Sequence, residues 1–175
     1  MIGPSVRALD RWSAPAAVDA VFDGLSDYSR YLRFHAPMPR LTKSFRDQLT
    51  DLDGDRHGAV VAEVAGEPIG IARLVRTGPG AAEVAVAVVD RRHRRGVGRL
   101  LLTEIAELAG RLGYLSLHGD ILPENTPMMR LVRGAMPGAR LAHVDGVVHF
   151  TFPVGWAFGT PTHEDLLASL SRAAR

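Results

Sequence analysis

Five basic residues, Arg91, Arg92, His93, Arg94 and Arg95, stand directly before Gly96-Val97-Gly98 in a chain of 175 residues. Glycines let the backbone approach a ligand closely, and arginine forks give charge-assisted hydrogen bonds to phosphate oxygens. The apolar run Val84–Val89 ahead of them reads as a strand, and Arg99-Leu100-Leu101-Leu102 behind them as the first turn of a helix. Strand, basic Gly-rich turn and helix N-terminus together make an anion site. The first N–H groups of a helix have no intrahelical acceptor, and the helix dipole favours negative charge there.

Common phosphate motifs narrow the ligand. A P-loop needs a lysine after its last glycine, and Lys43 is the only lysine in the chain. The dinucleotide fingerprint needs a third glycine, where this chain has Leu101. Asp51-x-Asp53-Gly54-Asp55 opens like a calcium loop but has Arg56 at its sixth position and Ala62 at its twelfth, which reads as a solvated loop.

The elements that must hold the basic turn follow from pattern. Ser5–Leu9 reads as a short strand. Ser13, with Pro15 behind it, is placed to cap a helix to about Leu25. A second helical piece covers Tyr28 to Phe34, and a third Thr42 to Leu49. Residues 57–64 and 68–75 read as a hairpin feeding the strand that ends at Val89. The helix from Gly98 carries Leu101, Leu102, Ile105, Leu108 and Leu112 on one stripe and stops at Gly113. Tyr114–His118 reads as a strand, Pro123–Arg133 as a loop entering a helix that Gly134 ends. A last hairpin joins 141–144 to 147–152 through Asp145-Gly146, a type I′-like turn. Thr162-His163-Glu164-Asp165 resembles a capping box opening an amphipathic helix. The expected organisation is a domain over 1–155 with a helical extension over 156–175 that could pack on the domain or on a second copy as a homodimer. The expected fold class is α+β (mixed α/β), with a central, mostly antiparallel mixed sheet of six or seven strands and helices on both faces.

Composition bounds the function. Apolar residues make up 46% and charged residues 23%, a globular balance. Net charge is only +2 and the basic residues cluster, which speaks against a broad nucleic-acid surface. There is no cysteine, so a thiolate metal site and a Cys nucleophile are excluded. The remaining histidines lack metal-ligand spacing. No apolar run is long enough for a membrane span, and the N-terminus lacks an apolar signal core. A cytoplasmic protein without metal, nucleic acid or membrane partner is the expectation.

The segment His93-Arg94-Arg95-Gly96-Val97-Gly98-Arg99-Leu100-Leu101 resembles the pyrophosphate loop of the GNAT superfamily of N-acetyltransferases, written (Gln/Arg)-x-x-Gly-x-(Gly/Ala), with His93 standing where Gln or Arg is usual. The resemblance spans about residues 5–153. Asn125 within Pro123–Val132 occupies the place of the family's characteristic Asn. The run Phe22-x-x-Leu25-Ser26-x-x-Ser29-x-Tyr31-x-Arg33-Phe34 and the segment Pro68–Arg73 are similar to the GNAT domains of bacterial protein lysine acetyltransferases. The resemblance implies an acetyl-CoA-dependent transferase. Val86, Ala87 and Val88 would bind the pantetheine arm and acetyl carbonyl; His93, Arg94, Arg95, Gly96, Val97, Gly98, Arg99 and Asn125 would hold the rest of acetyl-CoA.

That likeness also implies a base. An amine acceptor is mostly protonated near neutral pH, and a carboxylate can take its proton. Glu83, in an Ala-Glu-Val-Ala pattern on the strand before the loop, is the implied general base. Strand alternation puts it on the face of Ala85 and Ala87, opposite Val84 and Val86, unless a β-bulge intervenes, so alternation alone does not settle its direction. The Tyr that many members place seven residues after the Asn is Val132 here, leaving Tyr114 and His118 as weaker candidates for the leaving-group acid. A protein lysine is the acceptor this branch implies. A small amine, or a non-catalytic acyl-CoA-binding role, are the alternatives.

Overall fold

A computed structural model describes residues 3–155. Its centre is a seven-stranded sheet in the order β1-β2-β3-β4-β5-β7-β6. The strands are β1 (Ser5–Ala8), β2 (His57–Val64), β3 (Glu67–Gly78), β4 (Ala81–Val88), β5 (Ser116–Ile121), β6 (Arg140–Val144) and β7 (Val147–Pro153). All neighbours run antiparallel except β4 and β5. The helices are α1 (Ala14–Asp23), α2 (Asp27–Phe34), α3 (Lys43–Thr50), α4 (Val97–Arg111) and α5 (Thr126–Ala135). This is the expected mixed α+β sheet. The helix expected near 162–170 lies outside the described residues.

A parallel pair needs a crossover, and α4 supplies it between β4 and β5. Its stripe of Leu101, Leu102, Ile105 and Ala109 is fully buried. It packs on one sheet face, where a Cβ at Gly70 would stand 2.9 Å from Leu101 Cδ1. Removing one such leucine should cost roughly 2–5 kcal/mol. The opposite face is covered by α1, whose Val18 and Val21 line a cavity with Ile71 and Ala85. Helices therefore cover both faces.

Local chemistry explains the joints. Asp10, rather than Ser13, organises the start of α1: its Oδ1 accepts from the Trp12 and Ser13 N–H groups at 2.9 and 2.7 Å. The turn from α1 into α2 must have glycine at 24, because a Cβ there would lie 2.4 Å from Val89 Cγ1. Ser26 and Thr42 cap α2 and α3 through the N–H groups of Ser29 and Phe45. Arg30 ties the two early helices together by donating to Phe22 O and Pro39 O.

Several boundaries differ from the sequence reading, among them the end of β5, which runs past His118 to Ile121. β3 runs on to Gly78 through an irregular pairing after Arg76. β5 starts at Ser116, because Tyr114 is buried with its hydroxyl donating to Asp55 O at 2.7 Å. Gly134 does not end α5. It lies inside the helix, where its missing Cβ makes room for the Arg99 guanidinium.

Candidate active site

The β4–β5 ladder is short. It pairs Ala81, Ala82 and Glu83 with Ser116, Leu117 and His118 and then stops. β5 continues against β7 instead, so the strands open into a gap beyond Glu83. The Val89 N–H bond to Ile69 O at 3.0 Å sets the phase of the β3–β4 ladder. In an antiparallel pair alternate residues turn their main-chain groups away from the partner. The N–H and C=O groups of Val84, Val86 and Val88 therefore face the gap.

At the far end of the gap the chain makes one 3-10 turn over Asp90–Arg92 and enters α4 through two left-handed residues, Arg94 (φ 58°) and Gly96 (φ 80°). Among the described residues, the N–H groups of Arg94, Arg95 and Gly96 have no acceptor. With the free first turn of α4, which starts at Val97-Gly98, they form a concave nest of donors. Gly98 also allows close packing, since a Cβ there would sit 2.8 Å from Leu131 Cδ2.

Several expected side chains are committed elsewhere. His93 Nε2 bonds to Val88 O at 2.8 Å and lies 3.8 Å from Asp90 Oδ1, so its ring joins the nest to the strand. Burial works against the Asp90 charge, yet contacts with Ser26 and Ser29 outweigh it and hold the carboxyl below its usual range. Arg99 Nη1 donates to Gly134 O at 2.7 Å; of that residue only the backbone belongs to the nest. Asn125 Oδ1 caps α5 by accepting from Met128 N–H at 3.2 Å. Val132 is fully buried, so the core fills the place where a tyrosine was sought.

Glu83 is exposed. The pairing from Arg76↔Ala82 to Gly70↔Val88 is regular, so alternation places Glu83 with Ala85 and Ala87 on the α1 side. Opposite Ala85 is Arg73, and α2 brings Arg33 to the same side. The two arginines line a cavity of about 40 Å³ walled by Phe22, Phe34, Ile71 and Ala87. Burial pulls the Arg33 guanidinium down to about 10. Burial and then the Arg33 charge pull Arg73 down to about 9. Both stay charged near neutral pH. His57, half-buried, is held below its usual value by burial and then by Arg73, so its ring accepts from Arg73 Nε at 3.1 Å.

The β5 side is also polar. His118, in register with Glu83, bonds Thr77 Oγ1 at 2.7 Å and lies 5.7 Å from the ring of His149, which pairs with Asp120. The Tyr114 proton is already given to Asp55 O, away from the gap. Sequence reasoning missed the meeting of Arg33 with Arg73. The available signal was Arg73 itself, a charge inside the apolar run Ile71–Leu74.

The sequence pattern of the acetyltransferase (GNAT) family matches residues 18–134. The GNAT domain of S. lividans PAT is 31% identical, with a TM-score of 0.78 over 85% of this chain and 89% of that one. YncA from Salmonella typhimurium, solved with its cofactor acetyl-CoA, is 18% identical, with a TM-score of 0.65 over 86% and 94%. Spermidine N-acetyltransferase from Vibrio cholerae, solved with CoA and spermine, is 14% identical, with a TM-score of 0.69 over 89% and 98%.

Proposed function

This chain belongs to the acetyltransferase (GNAT) family, and on that footing we propose that it moves an acetyl group from acetyl-CoA directly to a primary amine, with Glu83 as general base. The observation that carries this reading is one continuous track. The main chain of Val86 and Val88 faces the β4–β5 gap, the donor nest lies at one end, and Glu83 lies at the other.

The donor fits the residues present. The N–H groups of Arg94 to Gly98 and the charges of Arg94 and Arg95 suit a pyrophosphate. The gap-facing amides of Val86 and Val88 suit the pantetheine arm, with Val88 O reached through His93. When bound, acetyl-CoA supplies the activated acyl carbon.

Glu83 takes a proton from the ammonium form of the acceptor, directly or through water, and frees its lone pair. The amine nitrogen then bonds to the acyl carbon as the carbon–sulfur bond breaks. The electron pair of that bond leaves on sulfur, and the second amine proton passes to solvent. An N–H of Val86 or Val88 polarises the carbonyl as charge gathers on its oxygen. With Val132 in the core, the thiolate leaves without a tyrosine acid; a thiol pKa near ~8.5 makes that tolerable. The absence of cysteine favours direct transfer over an acyl-cysteine relay.

A protein lysine is the acceptor we favour, on the likeness of the Phe22–Phe34 run to protein lysine acetyltransferases. The test is thiol release from acetyl-CoA with lysine peptides and small amines. Release that depends on an acceptor and falls in Glu83→Gln supports the reading. Tight CoA binding without release on any acceptor would replace it with an acyl-CoA-binding role.

A further inference from the structure

We propose that Arg33 and Arg73 form a carboxylate subsite beside Glu83, so that the accepted amine carries a carboxylate close to the nitrogen it offers. The proposal rests on the transfer reading above and names the acceptor chemistry that reading leaves open.

The argument starts from where the arginines are and what they lack. Arg73 faces Ala85 in register, and its neighbour two along, Val75, faces Glu83. Arg33 reaches the same side from the last turn of α2. Some arginines elsewhere have a carboxylate partner, as Arg7 has Glu63, Arg46 has Asp19 and Arg91 has Glu67; among the described residues, those without one are not enclosed by an apolar cavity wall. Arg33 and Arg73, half-buried, have no ion pair among the described residues. Arg73 spends Nε and Nη2 on His57 and on Gln48 O, and its Nη1 has no partner there. Arg33 makes no hydrogen bond among the described residues; its guanidinium carbon lies 4.9 Å from the Phe34 ring centroid.

Two like charges held together against Phe22, Phe34 and Ile71 are costly without a counter-charge. Among the described residues the carboxylate that acts on both is Glu83, which the proposed reaction requires for the amine. A carboxylate on the acceptor relieves the arginines while its ammonium meets Glu83, so the charges alternate. The cavity of about 40 Å³ has room for a group of that size, since a water needs roughly 10–15 Å³ on such a measure. A planar arginine fork suits a carboxylate geometrically. The carboxylate has two sources: an acidic residue beside a lysine in a peptide, or an amino acid's own carboxylate.

The experiment measures thiol release by the full chain with acetyl-CoA and two acceptor pairs. One pair is a lysine peptide with Glu beside the lysine and its Gln counterpart. The other is free L-lysine and L-lysinamide. In at least one pair the carboxylate-bearing member should be favoured about 10-fold or more in kcat/KM, and that pair identifies the source. Arg33→Gln and Arg73→Gln should each erase most of the preference, while Arg33→Lys should keep part of it and guard against a folding defect. Equal turnover within both pairs, or a preference unchanged in both Gln variants, overturns the subsite. Titration of the two peptides with the lysine already acetylated separates it from the transfer reading. Tighter binding of the Glu peptide, lost in Arg33→Gln, supports the subsite even if no acceptor is turned over. Equal binding of both peptides in that case overturns it.

Discussion

Tyr31 Oη donates to Glu124 Oε1 at 2.8 Å, a bond between residues 93 apart in the chain. It links α2, which rests on β4, to the segment that follows β5. The two strands bordering the gap are thus joined by side chains as well as by their short ladder. The bond raises the Tyr31 hydroxyl above its usual pKa. The Glu124 carboxyl lies below its usual value through a backbone N–H and then through Tyr31.

Tyr31→Phe should therefore loosen α2 and residues 122–126 together. Amide hydrogen exchange of both segments at pH 7 should speed up, and unchanged exchange would show that the bond holds nothing. The pH sign follows from the lowered carboxyl. The bond's contribution is fully present above the unfolded carboxylate pKa of about 4.5 and fades as pH falls through the folded value. The native protein should thus come to match Tyr31→Phe in acid, and again in alkali as pH rises through the raised Tyr31 value.

Glu83→Gln should lower kcat by about 10²–10⁴-fold near neutral pH. The deficit should shrink as pH rises toward ~10, where the acceptor amine loses its proton without help. A deficit constant across that range would assign Glu83 to binding rather than to proton transfer.

His57 is held below the usual histidine value of 6.5 mainly by burial. Its neutral form belongs to the folded state, so the unfolded chain binds the proton first. Stability linked to His57 is present above pH 6.5 and lost as pH falls through the folded pKa. Denaturant melts should show this loss as pH falls below about 6.5, and His57→Gln, which keeps an acceptor for Arg73, should flatten that part of the profile.

Gly119→Ala places a Cβ 2.8 Å from the backbone oxygen of Val84 and 2.7 Å from Phe150 Cε1. A main-chain oxygen cannot swing aside as a side chain can. The variant should lose about 1–3 kcal/mol in chemical denaturation. Gly98→Ala, which meets only the end of Leu131, should lose less.

Much of the frame was legible before the structure. The Leu101–Ile105 stripe and the Asp145-Gly146 turn, with both residues at positive φ, are local signals, and local physics sets them. Glu83's facing was left open by alternation alone and needed the regular β3–β4 register to fix it. What stayed hidden depends on distant partners. Nothing local says that Gly134 yields to Arg99, or that Arg33 and Arg73 meet over Ala85. A helix end and a pair of charges were each decided by a residue far away in sequence.

The three-rung ladder at Ala81–Glu83 has a mechanical consequence. The sheet is two leaves, β1–β4 and β5–β7–β6, and among the described residues that ladder, with the Gly80 carbonyl at its start, is their seam of main-chain pairing. Parallel pairing is the weaker kind per residue. Force applied across the leaves should open this seam before either antiparallel leaf frays, with α4 as the tether that keeps them together. The last rung is Glu83, so motion of one leaf against the other reaches the proposed base through its own backbone.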